Sequence, residues 1–571
     1  MTYKNKISKA LEKVSGVKNP QVEFASDEKF GDYSNNICLR DKTLDIDEII
    51  EKINSQNLDF SSEKLGRFIN FRIKNDALVN NLIQIDSQKE DYGKSDVGNG
   101  KTAIVEYSSP NIAKPFGVGH LRSTVIGDAI SNLMEFSGFK VMRDNHVGDW
   151  GTQFGKVICA IKKWGNEQKI EKSENPVEEL VQLYVKFHNL AEVESQAEAE
   201  LNSALEDEAR LWFKKLEDGD IEAKRLWQKC VDWSWVEFDK IYKLLGIRFY
   251  SEFNKGRGLG ESFFETRMKA VLSELEDKKL LEVGEDGAKL VFFTSTSSGS
   301  ALPPAMIIKK DGATLYSTRD LATDKYRKEK YDPDIIINEV GSEQSLYFKQ
   351  IYEIEKLLYW YKEGQRIHVG HGLYMLDGKK MSTRAGKTVK LEDVLEEAIE
   401  RAKKLGQKED KPAYAEATAR QVGIGAIKYF DLSHHPMTNI NFDWDSMFAM
   451  DGNSSPYIQY TIARCNSVVL KGETFKNELR LQGLTLQDEE SSVLRKLSQF
   501  QEIIVTATKS YSPNILCNYL YELASKFNTL YNAEKIIGGE NEEFKILLTK
   551  STAQVLKNGL KLLGIEAPEK M

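Results

Sequence analysis

Two segments of this 571-residue chain carry residue types suited to handling a nucleotide. The first runs from Ser108 to Thr124, SSPNIAKPFGVGHLRST. It lies between AIVEY, a strand-like run, and a stretch with helical apolar spacing. Gly117 and Gly119 let a ligand approach the backbone closely. The helix that follows would offer free N–H groups and the positive end of its dipole to a phosphate. His120 can donate a hydrogen bond to a phosphate or ribose oxygen. A plain strand–helix turn explains the same glycines without a ligand. The second segment is Lys379-Lys380-Met381-Ser382-Thr383-Arg384-Ala385-Gly386-Lys387. Such a loop suits a mobile clamp on a triphosphate, its positive charge stabilising departing pyrophosphate. An ordinary solvated basic loop has the same composition.

Both segments need a scaffold. From Thr102 the chain alternates: AIVEY and FKVMRDN read as strands, with helical spacing after each. That order implies parallel pairing in an α/β sheet, whose ligands sit at the carboxyl ends of the strands. A charged helical stretch at about 160–245 interrupts the alternation and reads as an insertion with solvated faces. KLVFF, AMIIKKDGATLYS, DIIINEVG and RIHVGHGLYML then resume it. After Leu391 the strands fade and helical periodicity takes over. Residues 1–98 mix short helices with strand-like pieces such as RFINFRI, and SQKEDYGKSDVGNGK reads as a boundary. The expected architecture is multidomain α/β. A small α+β domain at 1–98 precedes a Rossmann-like parallel-sheet domain with helical insertions at 99–390. An all-α domain follows at 391–571.

Composition narrows the function class. Lys and Arg total 79 against 87 Asp and Glu, a net charge of −8, which excludes unselective coating of nucleic acid but not a local RNA surface. The 5 cysteines are scattered, with no CxxC pair, so neither a disulfide framework nor a zinc ribbon is expected. The first residues are polar and amphipathic, unlike a signal peptide, and no apolar run approaches the roughly 18 residues of a membrane span. A cytoplasmic enzyme or RNA-handling protein is expected.

A strand–helix glycine turn followed far downstream by a basic KMS loop resembles the class I aminoacyl-tRNA synthetases. Gly117-Val118-Gly119-His120 stands where that class carries HIGH, and Lys380-Met381-Ser382-Thr383-Arg384 where it carries KMSKS. The stretches VEYSSPNIAKPF, NHVGDWGTQFG, LYSTRDLATDKYR, EVGSEQSLYFKQ, GNSSPYIQYTIAR and LLGIEAPEKM resemble the arginyl-tRNA synthetase family in order, from about residue 103 to the end. FGDYSNN and RFINFRI resemble that family's extra N-terminal domain more loosely.

The resemblance implies arginine–tRNA ligation with ATP and Mg2+ and without zinc. The implied partners are tRNA(Arg), L-arginine and ATP, with no membrane and a monomeric chain. It implies nucleotide contacts from Pro115, Gly117, Gly119, His120, Lys380, Met381 and Ser382. Of these, His120, Lys380 and Ser382 would be catalytic. It also implies that adenylate formation needs bound tRNA. A guanidinium is a planar five-donor fork that carboxylates satisfy bidentately. Its pocket therefore wants two acids and fixed acceptors. Matching positions are Glu106, Ser109, Asn111, Glu252, Tyr316, Asp320 and Gln344. Glu106 would serve mainly the substrate amino group, with Glu252 and Asp320 nearer the guanidinium. Tyr316 and Asp320 share a face if a helix starts at Tyr316. Tyr457 and Arg464 are implied contacts for the anticodon region, and Phe68 and Asn70 for the tRNA elbow. Those aromatics also fit a packed core.

Gly117 departs from the class signature, which has histidine there. Either backbone amides take over the phosphate contact, or a side chain such as Lys114 supplies charge. Thr383 and Arg384 depart from KMSKS, while Lys380 and Ser382 remain. Gly93-Lys94-Ser95 lacks the leading glycine of a P-loop. GRGLG at 256–260 reads as a turn, His434-His435 as a loop pair, and Trp233, Trp235 and Trp360 as packing residues. Another class I synthetase, or a non-enzymatic RNA-binding relative, fits the two loops alone.

Overall fold

Thr102–Glu106 (β1) is apolar along its length, and Ala103, Ile104 and Val105 are fully buried. A strand covered on both faces belongs inside a parallel sheet. In the computed structural model β1 pairs in parallel with Lys140–Asp144 (β2) on one side and Ile335–Gly341 (β3) on the other. Arg366–His371 (β4) adds to β3, giving the order β4-β3-β1-β2. The helix Gly119–Phe136 connects β1 to β2, while β3 lies on the opposite side of β1. The strand order therefore reverses at β1, where a crevice opens at the carboxyl ends. Register sets Glu106 level with Asp144 on β2 and Asn338 on β3.

The structure describes residues 2–198, 203–293, 302–310, 312, 314–376, 379–380, 389–406, 415–472 and 484–571, with 196–198 and 376–380 as backbone only. The chain divides into two units. One comprises 98–401 and 434–443; the other comprises 1–97, 402–433 and 444–571.

The unit with the parallel sheet holds the expected insertion as helices Pro176–Glu198, Ala204–Glu217 and Ile221–Leu245. Their charged faces point outward, and Cys159, Phe187, Leu205 and Ala209 close an apolar cluster beneath them. Trp233, Trp235 and Trp360 are buried, which agrees with a packing role. KLVFF and AMII depart from the expected alternation. They supply Lys289–Val291 and Ala305–Ile308 to a separate three-stranded antiparallel sheet with Glu282–Val283. The short link from Val283 to Lys289 suits antiparallel neighbours, whereas a parallel pair needs a crossover.

In the other unit, a small antiparallel sheet has the strand order Glu23–Phe24, Tyr33–Asn35, Phe68–Ile73, Phe60–Leu65. The helices Asp488–Ser498 and Glu542–Leu562 pack against Asn75–Gln88, and Asn514–Ala533 packs against both of them and against Phe500–Ser510. Arg495 pairs with Asp32, Tyr33 donates to Glu502 at 3.0 Å, and Asn558 donates to the Lys89 carbonyl at 2.8 Å. The two ends of the chain thus build one body.

Candidate active site at the strand tips

A cavity of about 350 Å³ opens at the carboxyl ends of β1 and β3. Six of the seven implied arginine-pocket residues line it: Glu106, Ser109, Asn111, Tyr316, Asp320 and Gln344. Each comes from the end of a regular element. Glu106 closes β1, Tyr316 and Asp320 lie on the first turns of the helix Tyr316–Tyr331, and Gln344 follows β3. The helix does begin at Tyr316, so Tyr316 and Asp320 share a face. Tyr316 is 66% exposed and lies at the rim.

The turn after β1 is held in an unusual backbone conformation. Ser108, Ser109 and Ala113 have φ of 76°, 43° and 60°, a region that side chains rarely adopt. Ser109 N–H donates to Asn145 Oδ1 at 3.1 Å, and Asn111 forms a backbone bridge to Gly148. A Cβ on Gly148 would lie 2.5 Å from Asn111 Oδ1, so a larger residue there would displace the Asn111 side chain. Strain of this kind persists where surrounding structure fixes it, and it clusters at binding sites. Ser109 Oγ is buried with no partner among the described residues.

The cavity is floored by charge. Arg327 donates to Glu106, to Asp144 at 2.7 Å and to Asp324 at 3.1 Å. Its side chain is 2% exposed. Arg366 extends the network, 2.7 Å from Asp324 and 3.1 Å from Glu355. Asn338 donates to the other Glu106 oxygen at 3.1 Å. Burial, the largest effect, pushes the Glu106 carboxyl up, but Arg327 and His146 together outweigh it and hold the group below its ordinary value. Glu106 is therefore a fixed anion.

Asp320 and Glu261 behave differently. Tyr347 donates its hydroxyl hydrogen to Asp320, yet burial raises the Asp320 carboxyl. Glu261 is pushed up to about 7 by burial, although His146 and Arg319 favour its charged form. Both acids line the cavity; Arg319 pairs with Glu261 at 3.2 Å but only partly offsets its burial, and Asp320 has no guanidinium partner among the described residues. A cationic ligand would restore their charge.

Glu252 is not part of this cavity. It sits in an exposed turn and accepts from the Tyr250 hydroxyl. Glu261 takes the place expected for it. The signal was present in GRGLGES, which reads as a plain turn. Gly258 has φ of 79°, and a Cβ there would meet the Asn145 carbonyl oxygen at 2.0 Å. The turn can press against the Asn145–His146 backbone only through glycine, and that contact carries Glu261 to the cavity. His146 and Tyr347 also line it and were not singled out by sequence.

The glycine turn of the nucleotide segment lies at the start of the 18-residue helix Gly119–Phe136, which has no side-chain cap. A Cβ on Gly119 would meet nothing within 4 Å, so that surface is open. His120 has its pKa pushed down to about 4 by burial, with Lys114 and His371 adding to the effect. It is a neutral donor near pH 7, and its Nδ1 is without a partner among the described residues. Pro115 is half-buried and Lys114 exposed beside it. Gly117 pairs with Lys390 across an antiparallel bridge, and Val118 N–H donates to the Val389 carbonyl at 3.0 Å. The chain leaving the basic loop is thereby tied to the glycine turn. Lys380 ends a short strand paired with Met375, and its side chain lies outside the described residues. So do Met381, Ser382, Thr383 and Arg384.

On the other unit, Arg464 lies over the rings of Tyr460 and Tyr531, at 5.0 and 4.7 Å, and donates to Asn528 at 2.6 Å. The Tyr457 hydroxyl accepts from the same asparagine at 3.0 Å. Both are half-buried members of one fixed polar patch. Phe68 is 41% exposed, but Asn70 is only 3% exposed. The pair is therefore presented through its aromatic member alone, because Asn70 lies inside the sheet between Ser34 and Glu63. A larger groove of about 970 Å³ runs along Lys4, Phe24 and Glu502, and none of the nucleotide or arginine candidates lines it. No cluster of metal-ligating side chains occurs among the described residues, and no described helix is long and apolar enough to cross a membrane.

The family model described as "tRNA synthetases class I (R), catalytic domain" matches residues 81–444, and "DALR anticodon binding domain" matches 458–571. An arginine–tRNA ligase of Clostridioides difficile is 42% identical over 89% of this chain and 87% of its own. One of Clostridium botulinum is 37% identical over the full length of both chains. The crystal structure of arginyl-tRNA synthetase from Plasmodium falciparum superposes with a TM-score of 0.78 at 27% identity, covering 100% of both chains. The Thermus thermophilus arginyl-tRNA synthetase has a TM-score of 0.81 at 22% identity, again over 100% of both, a likeness of fold.

Proposed function

Since this chain belongs to the class I arginyl-tRNA synthetase family and carries its activity, arginine–tRNA ligation, we propose that the strand-tip cavity is its arginine site. One observation supports this most: Glu106, Glu261 and Asp320 converge on a single cavity of about 350 Å³ with Tyr347 and Gln344 beside them. Asp320 and Glu261 supply the two anions a guanidinium fork needs. Glu106, held ionised by Arg327, faces the substrate ammonium, with Ser109 and Asn111 as fixed acceptors.

ATP lies across the strand tips as its magnesium complex, its phosphates toward the glycine turn. Gly117 leaves the phosphate contact to the Gly119 N–H at the helix start, the amides of Val118, His120 and Leu121 being already engaged, and Pro115 shapes the approach. His120, neutral, donates one hydrogen bond. The arginine carboxylate attacks the α-phosphorus in line, and Mg2+-pyrophosphate leaves. Lys380, Met381 and Ser382 close over the departing phosphates, Lys380 supplying the charge. A hydroxyl of the terminal adenosine ribose of tRNA then takes the arginyl group. Positioning and electrostatics carry both steps, with no covalent protein intermediate. A pocket built to hydrogen-bond a guanidinium rejects analogues lacking the fork, so no editing domain is needed.

Residues 1–98 serve the tRNA elbow through Phe68, 99–390 catalyse, and 391–571 bind the anticodon region through Tyr457 and Arg464. The chain acts as a cytoplasmic monomer and activates arginine only with tRNA bound. Aminoacylation of bulk tRNA with each of the twenty amino acids tests the reading. Charging with arginine alone is expected; charging with lysine or citrulline at a comparable rate removes the pocket assignment.

A further inference from the structure

His146 lines the same cavity, and nothing above gives it a task. It follows β2 at the strand tip. Its Nδ1 lies 3.0 Å from the Leu259 carbonyl oxygen. A carbonyl only accepts, so Nδ1 carries hydrogen in either charge state. Nε2 is the nitrogen that can change. It is buried, has no hydrogen-bond partner among the described residues, and lies 3.9 Å from the Asp320 carboxylate.

From this geometry, and resting on the arginine-site reading, we infer that His146 is a further specificity residue whose bare Nε2 accepts an N–H of bound arginine, so that arginine entering the cavity displaces a proton from it. The charged groups around the ring favour this. Glu106 faces it from β1, Asp320 and Arg327 from the helix Tyr316–Tyr331, and Glu261 and Asp149 from their own segments. Arg327 is engaged by Glu106, Asp144 and Asp324. In the empty cavity the acids favour imidazolium over the opposing effect of burial. Arginine brings cations whose nitrogens have only donors to offer. A protonated Nε2 would face them donor to donor and charge to charge. Arginine cannot shed its charge, whereas the imidazole can. The substrate carboxylate is the other possible partner for a protonated Nε2, but Glu106, Asp320 and Glu261 repel it from this end.

The test is calorimetric binding of L-arginine to the full chain, between pH 6 and 7.5, in buffers of different ionisation heat. The wild-type chain is expected to release protons on binding. His146→Asn keeps a donor toward Leu259 but places no acceptor at the Nε2 position, and should weaken arginine by about tenfold or more, as for loss of one hydrogen bond to a charged group. His146→Gln brings an amide oxygen toward the Nε2 position without a titrating group. It should bind more tightly than His146→Asn and release fewer protons than wild type. If His146→Asn fails to fold, the proton count of the Gln variant decides alone. An unchanged count assigns the proton to Glu261 and overturns the proposal, as does wild-type affinity in the Asn variant. Proton uptake by the wild-type chain overturns it in favour of the carboxylate contact. A wild-type chain that does not bind arginine at all instead defeats the arginine-site reading.

Discussion

A buried acid selects a cation only if it is charged when the cation arrives, and burial works against that. Asp320 and Glu261 show the conflict, since both are raised by desolvation. Asp320 also holds the Tyr347 hydroxyl, so its carboxylate is oriented before substrate binds. Asp320→Asn keeps the shape but removes the charge that meets the fork. The expected loss is about 2–5 kcal/mol of arginine binding, roughly 30-fold or more, with ATP affinity unaltered. Equilibrium binding of each substrate checks this, and equal loss of both would point to general damage. For Glu261 the sign runs with pH. A carboxyl raised to about 7 contributes stability that is complete below its ordinary value and lost as pH rises through about 7. The raised His146 acts in the same direction. The melting temperature of the free protein should therefore decline as pH rises from about 5 to about 7. Glu261→Gln should make that decline shallower, and an identical slope in the variant would show that Glu261 does not titrate there. Glu252 illustrates why the sequence misleads here. It and Glu261 are both acids near the same glycines, and only the clash of a Cβ at Gly258 with Asn145 decides which one reaches the cavity.

At the scale of elements, β1 and the first half of β3 are legible because a strand covered on both faces carries a continuous apolar run. Ile104, Val105, Ile336 and Ile337 are all fully buried. The helix Tyr316–Tyr331 is not legible in this way. Its YSTRDLATDKYRKEKY looks like a solvated surface helix, yet Arg327 is among the least exposed side chains of the chain. Its partners Asp144 and Glu106 lie 183 and 221 residues away in sequence. No local pattern encodes such a pairing. The network is weak evidence for stability, because three acids and a guanidinium had to leave water to form it. Its consequence is a fixed cavity floor that holds Glu106 ionised. Arg327→Met should cost about 3–5 kcal/mol in urea unfolding by stranding Glu106, Asp144 and Asp324 without a cation. A loss below about 1 kcal/mol would mean that water or protonation replaces the arginine at little expense.

At the scale of the whole molecule, sequence separates residues 1–98 from the helical third, because a polar, glycine-bearing stretch marks a boundary and hundreds of residues intervene. The structure joins those ends into one unit. The joint is polar and buried. Asp32 accepts from Arg495 and, at 2.7 Å, from the Ile73 N–H, so it links the small sheet to the helix Asp488–Ser498. Beside it Glu502 accepts from the Lys4 N–H at 2.8 Å and from Tyr33 at 3.0 Å. Arg495 is 11% and Asp32 5% exposed, so neither charge is well served by solvent if the other is removed. Arg495→Met leaves Asp32 with one backbone donor and should cost about 3–5 kcal/mol, as for breaking any buried pair from one side. The cost should appear locally, as faster amide exchange at Tyr33 and Phe71, while β1 and β3 keep their protection. Adding Asp32→Asn should recover part of the loss, because the stranded charge is then gone. If exchange at Tyr33 and Phe71 matches wild type in the single variant, residues 1–97 hold their fold without the helices, and the joint orients those residues rather than stabilising them.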